Sequence, residues 1–285
     1  MKTALLGATL WLVVAPFLGG LLAGADRILS ARLQGRVGPP LLQPFYDVLK
    51  LWDKRGGVVN RFQNFYMLAF FAFVLVSGAL FFAGGDLLLV IFALTVAGVM
   101  LALGAWSTNS PYSHVGAERE LLQMMAYEPM LLLTAVGMYL VGRSFHVGVL
   151  ARAEVPLVLW LPGVFLGFLF VLTIKLRKSP FDLSASHHAH QEIVRGITTE
   201  YSGRSLALFE VAHWYENVLL LGFVWLFFSF NPALGVAASL VVYFLEVFVD
   251  NAYARLTWRI TVRATWAAAA LLGVSNLVAF QYFAH

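Results

Sequence analysis

Residues 205–228 read SLALFEVAHWYENVLLLGFVWLFF, a run that is almost wholly apolar and long enough to cross a lipid bilayer. Three ionisable side chains interrupt it: Glu210, His213 and Glu216. A charged group at membrane depth costs roughly 2.5–3.5 kcal/mol on insertion scales, so these groups require partners, water or a neutral protonation state. At 3.6 residues per turn they cover about 120° of one helical face, which predicts a polar stripe on an apolar helix.

The composition of the whole chain is that of an integral membrane protein. Of its 285 residues, 60% are hydrophobic and 12% are charged, and the mean hydropathy is +0.80. Apolar runs of spanning length, numbered here as predicted spans 1–8, occur near residues 3–25, 65–84, 86–106, 121–142, 156–175, 205–229, 232–250 and 262–283. We expect an all-α polytopic membrane protein with about eight transmembrane helices, forming a single membrane domain over residues 1–285. The first run has no small-residue cleavage site and is interpreted as a permanent helix.

The positive charges predict the orientation of the chain. Loops after predicted spans 1, 3, 5 and 7 hold 16 of the 19 Lys and Arg residues. By the positive-inside rule these long loops are cytoplasmic and both termini lie outside, in a multi-pass protein of the inner (cytoplasmic) membrane. The net charge of +4 then reflects topology, and we expect no nucleic-acid partner.

The chain contains no cysteine. It therefore cannot bind an iron–sulfur cluster through thiolates, form a disulfide or supply the cysteines of a nickel–iron centre. It also lacks a Gly-rich dinucleotide fingerprint, and Gly19-Gly20 and Gly84-Gly85 are interpreted as close-packing or turn positions. We expect no cofactor in this chain and assign any redox chemistry to other subunits.

The first long loop, residues 26–64, contains an amphipathic segment just after Pro39-Pro40. Its apolar side chains recur at helical spacing, at Leu41, Leu42, Phe45, Val48, Leu49 and Trp52, opposite Gln43, Asp47, Lys50 and Asp53. This pattern predicts an amphipathic helix at the cytoplasmic surface. Packing against its own bundle could be its only role.

The second long loop, residues 175–204, is rich in titratable side chains: Asp182, His187, His188, His190, Glu192, Arg195 and Glu200. Loops of this length in a compact protein are usually functional or disordered. The three histidines suggest a metal site, but they lack the i, i+4 helical spacing of known sites and no cysteine accompanies them. Hydrogen bonding at a subunit boundary is the favoured interpretation, and we predict no metal site.

One further acid falls inside a predicted span. Glu128 is followed by Pro129, which frees the carbonyl of Met125 and kinks the helix. An acid and an unsatisfied carbonyl at one depth predict a local water pocket. In contrast, Asp86, Glu246 and Asp250 are interpreted as span-end residues that water can hydrate.

A proton path is the natural chemistry of such a set of buried acids. Burial raises the pKa of a carboxyl and nearby charges can lower it again, so each site exchanges a proton when its surroundings change. His213 is the member whose ordinary pKa lies near neutrality. Direct transfer needs heavy atoms within about 3 Å or a bridging water, and Glu210 and Glu216 are further apart than that along the helix. Water must enter, or the helix must move.

Three blocks of sequence resemble one family. They are DR at 26–27 through ARLQGRVGP at 31–39 and LQPFYDVLK at 42–50; GAWSTNS at 104–110 through QMMAYE at 123–128; and SPFDL at 179–183, EIV at 192–194 and TEYSG at 199–203. They are similar to the membrane subunit of respiratory complex I called NuoH, or NADH dehydrogenase subunit 1, and to its relatives in energy-converting hydrogenases. The resemblance covers predicted spans 1 to 6 in the family's order.

The resemblance implies a subunit that joins a peripheral redox arm to antiporter-like membrane subunits. It places Glu128, Asp182, Glu192 and Glu200 in a funnel of carboxylates, which gives the predicted proton path Glu128, Asp182, Glu192, Glu200, Glu210, His213 and Glu216. It makes loops 26–64 and 175–204 the docking surface for the peripheral arm. The residues expected at this interface are Arg27, Arg36, Gln43, Asp47, Lys50, His187, His188 and His190.

Departures from the quinone-linked pattern indicate the hydrogenase branch. Residues 175–178 are KLRK and residues 184–192 are SASHHAHQE, where that pattern has acid-Thr-Asn-Arg and Pro-Glu-Gly-Glu-Ser-Glu. His213 occupies the family's usual acid position. These changes resemble EchB-like subunits of [NiFe] hydrogenases. We therefore expect a non-catalytic, proton- or sodium-conducting subunit of a ferredoxin-linked hydrogenase. Its expected partners are the hydrogenase large and small subunits and a ferredoxin-like subunit, which hold the [NiFe] centre and iron–sulfur clusters, together with an antiporter-like subunit and the lipid bilayer.

Other functions remain open at this stage. The same family includes quinone-reducing complexes, which a quinone-site inhibitor would identify. A plain membrane anchor would use the acids only to bind partner helices. An autonomous transporter is disfavoured because the chain shows no inverted repeat or paired broken helices.

Overall fold

A computed structural model describes residues 2–54, 61–152, 156–178, 180–181, 184 and 195–283, without the side chains of residues 2, 3, 61 and 283. In that part of the chain the regular structure is helical, and one isolated bridge joins Asp86 to His146. The helices are α1 (Lys2–Leu33), α2 (Gln43–Asp53), α3 (Arg61–Phe82), α4 (Leu87–Trp106), α5 (Pro111–Gly142), α6 (Val147–Leu150), α7 (Leu157–Trp160), α8 (Pro162–Lys175), α9 (Gly203–Phe227), α10 (Pro232–Ala252), α11 (Trp258–Ala268) and α12 (Ser275–Phe283). A 3₁₀ turn (Gly196–Thr198) precedes α9, and a π-helical segment (Ala269–Val274) joins α11 to α12.

The structure confirms an all-helical, polytopic membrane protein. Within the described ranges, six helical segments are long and apolar enough to cross a bilayer: Ala4–Leu33, Phe62–Phe82, Leu87–Trp106, Pro111–Gly142, Pro232–Ala252 and Trp258–Tyr282. Helices α8 and α9 occupy predicted spans 5 and 6, but α8 has 14 residues and α9 carries the polar stripe. The total of eight spans stays a prediction.

Short polar contacts fix several helix starts. Asp86 Oδ1 accepts hydrogen bonds from the Leu88 and Leu89 amides at 2.8 and 3.2 Å, which caps α4 and confirms Asp86 as the start of that span. Asn231 caps α10 in the same way, followed by Pro232 in its first turn. Gly84 has φ +80°, a conformation that glycine adopts without a steric penalty, and it makes the turn that the sequence pattern predicted.

Helix α9 lies inside the bundle, against α1, α2, α3 and α10. A Cβ on Gly19 would overlap the backbone of Trp214, so this glycine lets α1 and α9 approach closely, as predicted for the Gly19-Gly20 pair. The Tyr215 hydroxyl donates to the Leu12 carbonyl at 2.7 Å and adds a second link between the two helices. The apolar half of α9 is buried with Phe223 and Phe227 at 1% and 0% exposure.

Helix α2 is the predicted amphipathic helix, and its apolar side chains have two kinds of neighbour. Phe45 packs against Trp214 of α9, while Leu49 and Trp52 stay exposed on the outside of the protein. Asp47, on the polar side, accepts a hydrogen bond from Arg27 of α1 at 2.5 Å. The exposed apolar side chains suit contact with lipid, as expected for a helix at the membrane surface.

Helix α5 corrects the expectation of a water pocket beside Glu128. The helix begins at Pro111, ten residues before predicted span 4 and just after the cap residue Ser110. The Met125 carbonyl, which Pro129 releases from the helix ladder, accepts a hydrogen bond from Trp266 Nε1 of α11 at 3.1 Å. An indole donor therefore satisfies the group that water was expected to satisfy.

Side-chain hydrogen bonds attach the last predicted span to α5 and to the ends of α7 and α8. Besides the contact of Trp266 with α5, Asn276 accepts from the Val164 amide at 3.1 Å and donates to the Trp160 carbonyl at 3.4 Å. These two groups belong to the ends of α7 and α8, where the ordinary helix ladder stops. The π-helical segment Ala269–Val274 lies between the two attachment points.

Candidate functional site

Helix α9 presents its polar stripe in the interior of the protein. Glu216 Oε2 lies 3.5 Å from His213 Nδ1, with side-chain exposures of 9% and 16%. Glu210 lies about two turns before Glu216 and is half-buried. The three predicted residues thus lie on one stretch of α9 that spans about 9 Å along the helix axis.

A polar cavity of about 790 Å³ opens beside this stripe. Glu210, His213 and Asn217 of α9 line one wall, and the other walls come from the ends of α1, α8 and α10. A cavity of this size holds many water molecules, and its lining offers them hydrogen-bond partners. Water in this cavity can therefore reach Glu210 and His213.

Lys178 is a buried cation in the wall of this cavity. Its Nζ donates to Asp26 of α1 and lies 3.5 Å from Asp250 of α10. Only 8% of Lys178 is exposed. Because a buried charge without a partner is expensive, Lys178 joins α1, α10 and the end of α8 at the same edge of the bundle.

Arg177 makes a second buried ion pair. Its guanidinium lies 3.6 Å from Glu120 of α5, which also accepts a hydrogen bond from Ser184, and it stacks 5.0 Å from the ring centre of Phe209 on α9. Arg177 adopts φ +56°, a region that non-glycine residues enter at a cost of about 1–2 kcal/mol. This conformation directs the guanidinium inward, where the contacts with Glu120 and Phe209 stabilise it.

Lys175 connects these charges to the centre of α9. Its ammonium lies 4.4 Å from the ring centre of Tyr127 on α5 and interacts electrostatically with Glu216 and Glu120. We define the buried charge chain by its members, Glu120, Arg177, Lys175, Tyr127, Glu216 and His213. The negative charges of Glu120 and Glu216 balance the positive charges of Arg177 and Lys175. Gain or loss of a proton at His213 therefore changes the net charge of the buried charge chain.

The other predicted path residues are placed differently. Glu128 is half-buried on α5 but belongs neither to the cavity lining nor to the buried charge chain. Glu200 is half-buried just before α9. Asp182, Glu192, His187, His188 and His190 lie outside the described residues, so their roles stay predictions.

The predicted interface residues on α1 and α2, and Arg36 just after α1, make hydrogen bonds within the chain. Arg27 and Gln43 both donate to Asp47, at 2.5 and 2.9 Å, and Arg36 donates to Gln34. Partial burial opposes ionisation of Asp47, but the hydrogen bonds from Arg27 and Gln43 outweigh it and lower the pKa of Asp47. Lys50 is exposed on α2, close enough to act on Asp47 through its charge. Docking of a peripheral arm on this surface stays a prediction.

Sequence reasoning missed four members of the buried charge chain: Tyr127 and the charged residues Glu120, Lys175 and Arg177. Glu120 stands beside Glu118 and Arg119, which made it resemble a loop residue, although Ser110-Pro111 is a typical helix start that could have placed it on α5. Lys175 and Arg177 were assigned to a positive cytoplasmic loop. Their partners lie on helices distant in sequence, so no local pattern reveals their burial.

Known proteins resemble this chain in sequence and in fold. A family model described as NADH dehydrogenase matches residues 6–281. The chain belongs to this family. The resemblance of the three sequence blocks to NuoH is thereby confirmed. The fold of this NADH dehydrogenase family member matches a chain in a solved structure of the membrane-bound sulfane sulfur reductase, an archaeal respiratory membrane complex, with a TM-score of 0.87, 22% identity and coverage of 97% of this chain and 99% of that chain.

Named relatives of this NADH dehydrogenase family member are components of larger assemblies. It is 30% identical to hydrogenase-4 component C and 30% identical to formate hydrogenlyase subunit 4, both of Escherichia coli, with 92% of this chain and 90% and 93% of those proteins covered. It is 34% identical to the NuoH protein of the NADH-quinone oxidoreductase of Geobacillus kaustophilus, with 73% of this chain and 68% of that protein covered.

Proposed function

We propose that this chain is the ion-translocation coupling subunit of a membrane-bound, ferredoxin-linked [NiFe] hydrogenase. The two hydrogenase relatives are covered over 90% and 93% of their length, whereas NuoH proteins of NADH-quinone oxidoreductases are covered over 59–72%. The absence of cysteine assigns thiolate-bound redox centres to other subunits.

The single observation that carries the proposal is the continuity between the cavity and the buried charge chain. His213 belongs to both, because it lines the cavity and lies 3.5 Å from Glu216. A proton entering from the cavity reaches His213 directly or through Glu210, and changes the balance of charges around Glu216. Since the buried charges interact strongly at low dielectric, Lys175, Arg177 and Glu120 respond to that change.

In this mechanism a charge change at the cytoplasmic end of the bundle drives ion movement electrostatically. Arg177 and Lys178 follow α8 and connect directly to the loop that carries Asp182 and Glu192. A charge change in that loop alters the attraction between Arg177 and Glu120, then between Lys175 and Glu216. Protons or sodium ions then move at Glu210, His213 and Glu216, with Glu128 and Glu200 at the sides of the path.

The proposal includes an orientation and a set of partners. The two long loops face the cytoplasm and both termini lie outside, because the loops hold most of the positive charge. Residues Arg27, Arg36, Gln43, Asp47 and Lys50 contact the peripheral arm, which contains the hydrogenase large and small subunits and a ferredoxin-like subunit. An antiporter-like subunit packs beside the chain in the bilayer.

The test is ion coupling by the intact complex in inside-out membrane vesicles. Glu216→Gln and Glu210→Gln should each retain assembly and hydrogen turnover but reduce ion movement per hydrogen at least several-fold, because the amide cannot carry the charge. Glu118→Gln, at an exposed acid on α5, is the matched control and should couple fully. Full coupling in both test variants contradicts the proposal.

Two alternatives give different results. A quinone-reducing complex is favoured by the NuoH relatives from NADH-quinone oxidoreductases, and its turnover is sensitive to a quinone-site inhibitor. A plain anchor predicts that Glu216→Gln weakens assembly while the complexes that remain show normal ion coupling.

A further inference from the structure

Glu246 of α10 is a buried carboxyl that the proposed path does not use. Its position in the sequence predicted a hydrated residue near a span end, but it is only 6% exposed. Its Oε2 has no hydrogen-bond partner among the described residues. An ionised carboxylate in this position would lack both water and a full set of donors, so the site favours the neutral acid.

The Thr173 hydroxyl on α8 is engaged within its own helix. Thr173 is 6% exposed, and its side chain donates to the Phe170 carbonyl at 3.1 Å and lies near the Leu169 carbonyl at 3.4 Å. A hydroxyl has one proton, so while that bond is made Thr173 has no proton to donate to a carboxylate at Glu246. This again favours the neutral acid at Glu246.

The charged groups around Glu246 connect it to the cavity. Asp250 lies one turn further along α10, and Lys178 faces both acids from the end of α8. Lys178 is already held by Asp26 of α1 and by Asp250, so its charge is shared among three carboxyls. Asp26, Lys178 and Asp250 all line the cavity, which makes Asp250 the link between Glu246 and cavity water.

A metal ion fits this position less well than a proton. The ammonium of Lys178 repels a cation at Asp250, and the described residues contain no grouping of three or more His, Asp or Glu side chains suited to a metal. A sodium ion needs several oxygen ligands, while the Glu246 carboxyl provides only two oxygens.

We propose that Glu246 is a proton-storing carboxyl that exchanges its proton with the cavity through Asp250. When the Lys178 bridge to Asp250 opens, the proton leaves Glu246 through a cavity water and binds Asp250. Glu246 becomes a carboxylate that attracts Lys178, and Asp250 becomes a neutral acid. Glu246 therefore holds one proton outside the α9 stripe, and Lys178 controls its release. The use of this proton in ion coupling rests on the proposed function, while its storage does not.

Infrared difference spectroscopy of the intact complex tests the storage of the proton. The wild-type protein at neutral pH should show a carbonyl stretching band of a protonated carboxylic acid, and Glu246→Gln should lose that band. Thr173→Val should keep the band, because the Thr173 hydroxyl bonds the Phe170 carbonyl of its own helix. The exposed-acid control Glu118→Gln should leave the band unchanged.

The outcomes separate this proposal from the proposed coupling function. An assembled Glu246→Gln complex that retains the whole carboxylic-acid band shows that Glu246 is ionised and overturns the proposal. A band that depends on sodium concentration also overturns it, because a bound cation then replaces the proton. If Glu246→Gln loses the band while Glu210→Gln and Glu216→Gln couple fully, proton storage stands and the coupling function fails.

Discussion

The Glu120–Arg177 pair and the Arg27–Asp47 pair join the same kinds of groups in two different environments. The first pair is 3.6 Å apart with both side chains 9% exposed; the second is 2.5 Å apart with side chains 43% and 40% exposed. The shorter pair is the weaker one, because water screens it and can replace either partner. The longer pair has no such replacement. Burial, more than distance, therefore decides which charges in this protein depend on each other.

Removal of the buried cation should have the largest effect. Arg177→Met removes the ion-pair partner of the buried Glu120 carboxylate, and should cost about 3–5 kcal/mol of stability, measured by thermal unfolding of the purified complex. Adding Glu120→Gln should restore part of this loss, because it removes the stranded charge. Arg32→Met, at an exposed cation on α1, is the control and should change stability little. A double variant that is as unstable as the sum of the two single variants contradicts the coupling.

A neutral contact facing lipid should give an intermediate effect. Trp266→Phe removes the donor to the Met125 carbonyl, and lipid cannot supply another, so we expect a cost of about 1–3 kcal/mol. In a Pro129→Ala background the alanine amide can bond the Met125 carbonyl, and the same Trp266→Phe change should then cost less. Equal costs in the two backgrounds would show that Trp266 acts only through packing.

The exposed pair should give the smallest effect. Asp47→Asn should cost no more than about 1 kcal/mol, and less at high salt. The folded-state pKa of Asp47 is below its ordinary value of 3.8, so its contribution is present above pH 3.8 and is lost as pH falls through the lower folded value. The difference in Tm between wild type and Asp47→Asn should therefore disappear in acid. A difference that persists below that range would mean that ionic pairing is not its cause.

The sequence predicted the helices well where apolar runs are continuous and caps are explicit. Asp86, the α2 segment and the polar stripe on α9 all lie where expected, because their signals are local. The start of α5 was misplaced because Glu118, Arg119 and Glu120 interrupt the hydropathy of a helix that nevertheless continues through them. A hydropathy pattern measures average lipid preference and does not detect a charge that a distant helix neutralises.

The candidate site was predicted in part for the same reason. Glu210, His213 and Glu216 could be found from one helix, whereas Arg177 and Lys178 acquire their roles only through Glu120, Asp26 and Asp250 on three other helices. Glu128 attracted attention through Pro129, but the indole of Trp266 fills the place where water was expected. The spacing of residues within one segment gives no information about their ion pairs with distant helices.

The π-helical segment Ala269–Val274 makes the end of the chain tolerant of a one-residue deletion. A π turn holds one residue more than an α turn, so removal of Leu271 would allow an ordinary α-helix to form there. Because either kind of turn completes one rotation about the helix axis, the later side chains would keep their directions. Asn276 would still reach Val164 and Trp160, and the terminal helix would keep its attachment to α8. Removal of Ser275, just beyond the π segment, would instead rotate every later side chain by about 100°.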